Sequence, residues 1–160
     1  MLIVKQYIID KNTLAISPAT AIEHHAVVLE KTQTIYVKQT PLEIIQYNCI
    51  IGGSTFEGRC LAAQQLIKRK QKVPILISEQ PRLCVFPTQS PKNFECRWIV
   101  ANHVCAVTAY EETDSSNLQT TIHFQSIKFH LMESPYQIKQ QNLKAFVLHE
   151  ALRQKTIIPI

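Results

Sequence analysis

Glycine is scarce in this sequence, three residues in 160, and the eight prolines are scattered. That excludes collagen-like repeats and Gly-rich linkers. No apolar run approaches the ~18 residues that a membrane helix needs. The opening stretch, MLIVKQYIID, lacks a basic segment ahead of its apolar residues and lacks a small-residue cleavage site. It therefore does not read as a secretory leader, and the expected location is the cytoplasm, with no membrane role. No two of the five cysteines are spaced C-x-x-C, and their number is odd. A reduced protein with buried thiols accounts for this better than a disulfide framework. What is present is a chain 46% hydrophobic and 18% charged, suited to one folded domain over 1–160.

Charge is unevenly placed. The 17 Lys and Arg outnumber the 12 Asp and Glu, for a net +5. Arg59, Lys68, Arg69, Lys70, Lys72, Arg82, Lys92 and Arg97 face only Glu79 and Glu95 within 58–97, so that segment carries +6 and the remainder −1. A concentrated positive field attracts polyanions such as nucleic acid or acidic membrane. The alternative is a solvated helix end at 68–72, since basic residues favour last turns. The eight cations are the candidate DNA-binding residues. Arg59 projects toward an apolar helix arc, which leaves open whether it contacts a ligand or serves the fold.

The pattern predicts an α+β fold of antiparallel strands, a helical hairpin at about 41–69 and a C-terminal helix at about 135–154. Residues 2–9, 13–16, 26–29 and 34–37 read as strands. Thr40-Pro41 combines an N-cap with proline at the first helical position. Gly52-Gly53-Ser54 stops that helix. In the next one Phe56, Cys60, Ala63, Leu66 and Ile67 share an apolar arc, and Lys70 would fall on it, so the helix is expected to end earlier. Residues 75–77 and 83–86 suggest a strand–turn–strand, 98–110 is long and β-rich, and 120–124 with 127–132 suggests a hairpin. Ser134-Pro135 starts the last helix. From 143 to 152 that helix is apolar nearly all round and is expected to be buried, in the core or against a second subunit. Phe146 and Leu148 are the candidate interface residues, and the tail at 157–160 is apolar too.

Residues that invite catalysis or metal binding do not form a convincing set. Cys96, His103 and Cys105 are spaced C-x6-H-x-C, which is not a usual zinc pattern. No nucleophile elbow accompanies a Cys–His pair. Gly52, Gly53 and Gly58 lack the Lys-Ser/Thr of a phosphate loop. No enzyme, metal or cofactor is expected. Two helices around a Gly-Gly-Ser turn, followed by a basic cluster, give a weak helix-turn-helix signal.

The stretch from Pro41 onward is more distinctive. It runs P-L-E-I-I, Cys49, G-G-S-T-F-E-G-R at 52–59, K-x3-K-V-P-I-L from Lys68, V-F-P-T ending at Thr88, and W-I-x3-H-V from Trp98. Across about 36–132 this resembles the competence transcription factor family, ComK, of Gram-positive bacteria. The resemblance implies a cytoplasmic activator of DNA-uptake genes. It also implies binding to AT-rich promoter boxes in double-stranded DNA, mainly through the minor groove, as a homodimer or higher homo-oligomer. A Clp-protease adaptor is a further implied partner. Two departures stand out. Cys60 occupies a position where the family often has a basic residue, and only 156–160 follow the last helix. Both favour an alternative, a ComK-like interaction protein that has lost DNA activation and titrates or modulates a related regulator.

Overall fold

The computed structural model describes residues 1–155. Among them, ten strands and three α-helices make the α+β fold that the pattern predicts. The strands are β1 (Ile3–Val4), β2 (Thr13–Pro18), β3 (Ala26–Glu30), β4 (Thr34–Val37), β5 (Ile75–Glu79), β6 (Arg82–Pro87), β7 (Trp98–Val100), β8 (Ala106–Ala109), β9 (Thr120–His123) and β10 (Lys128–Leu131). The helices are α1 (Pro41–Ile51), α2 (Phe56–Ile67) and α3 (Pro135–Lys155). The larger sheet has the order β1-β4-β3-β2-β7-β6-β5, and β10-β9-β8 form a second sheet. Every pairing is antiparallel except β1 with β4. No helix among the described residues is long and apolar enough to cross a membrane.

The large sheet is apolar on both faces, and strand alternation divides its side chains between two cores. Trp98 and Val100 join α1 and α2 in one cluster through Ile44, Ile45, Cys49, Ala63 and Ile67. Ile99 points the other way and packs with Phe86, Ile122, Phe124 and Leu131 beneath the second sheet. Helix α3 bridges the two. Ile138 and Ala145 belong to the second cluster, Leu148 to the first, and Leu152 packs against the first. These residues recur at helical spacing along one stripe.

Each helix begins as its sequence dictates. Thr40 accepts from the Glu43 amide while Glu43 accepts from the Thr40 amide, a closed capping box ahead of Pro41. Thr55 caps α2 by accepting from the Gly58 amide. Ser134 and Gln137 form the same reciprocal pair ahead of Pro135. The α1–α2 corner needs both of its glycines. A Cβ on Gly52 would lie 3.0 Å from the Ile77 carbonyl oxygen, and Gly53 has φ +87°.

The structure corrects three expectations. Only Ile3–Val4 of the 2–9 segment is a strand. Beyond it, Asn48 of α1 takes over the backbone groups: its Oδ1 accepts from the Ile9 amide, and its Nδ2 donates to the Tyr7 and Ile44 carbonyls. Tyr7 turns inward, with its hydroxyl hydrogen-bonded to Glu30 and Thr13. The 98–110 run is broken by a 3-10 turn at Ala101–His103. There Asn102 accepts from the Cys84 amide and donates to the Arg82 carbonyl, tying the turn to the β5–β6 hairpin. Finally, α3 is not buried all round. Leu148 is 2% exposed and sits in the core, where it is not available to a partner, whereas Leu143, Phe146 and Val147 are 50%, 61% and 39% exposed. The apolar tail at 157–160 lies outside the described residues.

Candidate nucleic-acid interface

The basic segment becomes a surface through the loop that follows α2. Helix α2 stops at Lys68, which adopts the left-handed conformation at φ 59°, and Lys72 does so again at φ 48°. The two reversals fold 68–73 into a tight loop instead of a further helical turn. Side chains from two helices, α2 and α3, fix its backbone. Gln64 Nε2 donates to the Lys70 carbonyl at 2.9 Å, and Lys144 Nζ to the Gln71 carbonyl at 3.1 Å. Gln141 Nε2 bridges the Lys72 and Pro87 carbonyls, each at 2.8 Å. The carbonyls of 70–72 are therefore spoken for, which leaves the side chains of Lys70, Gln71 and Lys72 to line an open groove.

A second loop forms the opposite wall. The Thr88 amide donates to the Arg97 carbonyl, and the Arg97 amide to Thr88 Oγ1, closing the base of an excursion that carries 89–96. Within it the Asn93 amide donates to Ser90 and the Cys96 amide to Asn93. Met132, Glu133 and Gln137 complete the lining of a groove of about 1090 Å³.

The groove thus brings together Lys70, Lys72 and Lys92 with the amides of Gln64, Gln71, Gln89, Asn93 and Gln137. Three ammonium groups face one carboxylate, that of Glu133. Ammonium groups are point donors for phosphate, and side-chain amides are donors and acceptors for base edges. The cations also extend past the rim. Desolvation and then the charges of Lys72 and Arg69 push the Lys144 ammonium below the ordinary lysine range. Lys144 therefore belongs to the same positive field, although it lies outside the basic segment read from the sequence.

The eight predicted cations do not share one surface. Lys68 and Arg69 are exposed on the loop beside the groove. Arg59 and Arg82 line none of it; both lie close enough to Cys84 to oppose the rise in its thiol, which burial pushes up to about 11. Arg59 Nη2 donates to the Gly52 carbonyl at 3.2 Å, beneath the α1–α2 corner, and its buried Nε has no hydrogen-bond partner among the described residues. Arg97 braces the loop base through its backbone, and its buried Nη1 has no hydrogen-bond partner among the described residues.

Helix α2 does not look like a recognition helix. Its exposed positions include Glu57, Leu61, Ala62, Gln65 and Leu66, and its one cation is Arg59. Leu66, which the helical wheel places on the apolar arc, is 38% exposed.

Sequence reading missed Glu133, Gln137, Gln141 and Lys144. A polar residue on an apolar stripe, Gln141 between Ile138 and Ala145, is the signal that would have found one of them. The others are separated from the basic segment by the whole second sheet.

A family model described as ComK protein matches residues 4–157. The competence transcription factor of Bacillus subtilis is 32% identical over 88 residues, 55% of this chain and 46% of that protein. The matched stretch spans about half the length of that relative. No solved structure matches the chain.

Proposed function

The chain belongs to the ComK family, and on that premise we propose that it is a cytoplasmic, DNA-binding regulator of transcription of competence genes. The observation that carries the reading is the groove, in which Lys70, Lys72 and Lys92 stand among five side-chain amides. Lysines on both walls suit the two phosphate backbones that border a DNA groove, and the amides between them suit base edges. Lys, Asn and Gln are residue types that minor-groove proteins use. Within this reading the ligand is double-stranded, AT-rich DNA, read in the minor groove.

Dimerisation is part of the same proposal. Leu143, Phe146 and Val147 form an exposed apolar stripe on α3, on the helix whose Gln141 and Lys144 brace the groove loop. Exposed apolar surface of this kind marks interfaces, and a two-fold pair places two basic grooves on one DNA site. A Clp-protease adaptor is the other protein partner in this reading.

Base-analogue substitution tests the groove assignment. Replacing A·T by I·C pairs keeps the minor-groove edge and changes the major-groove edge. Affinity for an AT-rich duplex is expected to survive the replacement within about threefold, well under the ~1–3 kcal/mol that a lost base contact costs. A hundredfold loss would assign readout to the major groove instead.

A further inference from the structure

Glu133 is the one carboxylate in a groove otherwise lined by cations and neutral groups, and it is 8% exposed. Burying a carboxylate is costly unless its oxygens are satisfied. Here Oε2 accepts from Gln89 Nε2 at 2.5 Å, while Oε1 has no hydrogen-bond partner among the described residues. Its own carbonyl is held by Thr120 Oγ1 at 2.5 Å, which anchors the residue to the second sheet.

An ionised carboxylate only accepts hydrogen bonds, so it dictates which end of the Gln89 amide turns toward it. Nε2 faces Glu133 and Oε1 faces away, where Asn93 Nδ2 donates to it at 3.3 Å. The chain Glu133–Gln89–Asn93 therefore sets the polarity of two amides on the wall that also carries Lys92. Each amide keeps one spare N–H. In this orientation Gln89 turns its oxygen to Asn93 and keeps an N–H as the donor it can offer the groove. In the DNA minor groove A·T pairs present only acceptors, whereas G·C adds the guanine amino donor. Fixed donors therefore match A·T and oppose G·C.

Resting on the reading above, we infer that Glu133 is a positioning residue for base-pair discrimination, acting through the orientation of Gln89 and Asn93. Glutamine at 133 offers either its oxygen or its nitrogen to Gln89, so both orientations become available.

The test measures affinity for matched AT-rich and GC-rich duplexes with wild type, Glu133→Gln, Gln89→Ala and the double variant. The AT:GC affinity ratio is expected to fall about fivefold or more in each single variant. The double variant should fall no further than either single one, since both act through one chain. Affinity for the GC-rich duplex should rise in Glu133→Gln, because a negative charge has left the groove. The salt slope should be unchanged, because the lysines are untouched. A wild-type ratio in both single variants overturns the inference, and so do independent, additive losses. If Glu133→Gln does not fold, the partly exposed Gln89→Ala decides alone. A wild-type protein that binds without AT preference also overturns the inference. One that binds no DNA removes the functional reading with it.

Discussion

Removing the three groove lysines together is expected to weaken DNA binding about a hundredfold at moderate salt and leave the fold intact. Lys70 and Lys92 are best replaced by glutamine. Lys72 is better replaced by asparagine, since its φ of 48° lies in the left-handed region that asparagine tolerates. Each lysine that meets a phosphate releases counterions on binding. A log–log salt slope near −5 for about six phosphates should therefore become shallower by about 2.7. The loss should be similar for AT-rich and GC-rich duplexes, because phosphate contacts carry no sequence information. An Arg82→Gln variant makes the control, since Arg82 lies outside the groove. An unchanged slope in the triple variant would move the interface elsewhere.

The second large effect separates two neighbouring residues of α3. Phe146→Glu is expected to give a folded monomer, with DNA affinity reduced about a hundredfold by loss of the second binding arm. Leu148→Glu is expected to unfold the protein. Its side chain is 2% exposed within the main core, and an unpaired buried charge there costs a large share of a stability of about 5–15 kcal/mol. Sedimentation and circular dichroism distinguish the outcomes. A Phe146→Glu protein that stays dimeric and binds DNA normally would remove the exposed α3 stripe from the assembly model.

This contrast also marks what the sequence can express. A 143–152 run that is apolar nearly all round says that the helix has more apolar surface than one core face needs, but not which residues face in. Only packing against β6, β8 and α2 decides that Leu148 turns inward and Phe146 outward. Helix starts were legible because their signals are local. Thr40-Pro41 and Ser134-Pro135 each carry a cap, a fixed φ and a reciprocal partner three residues on. The β5–β6 hairpin was legible for a similar reason, two apolar runs around a short turn. The 2–9 segment misled because its backbone partner is the side chain of Asn48, some forty residues away. A polar residue on an apolar helix face marks itself but gives no address for its partner.

The candidate site divides the same way. Charge alone marks Lys68 to Lys72, because the excess is concentrated there. The second wall requires β6 to run beside β5 and the chain then to leave the sheet at Thr88, which carries Lys92 to the groove. Charge counting also does not say which cations share a surface. Arg59 and Arg82 raise the local sum yet sit beside Cys84, one of them bonded beneath the Gly52 corner.

Amide chemical-shift mapping of an AT-rich duplex onto the protein tests the central claim most directly, and at 18.3 kDa the chain suits it. The largest changes are expected at 68–73, 89–93 and 133–137, the segments that line or border the groove. Changes clustered around Arg59 and Arg82, or along the exposed face of α2, with those three segments silent, would contradict it.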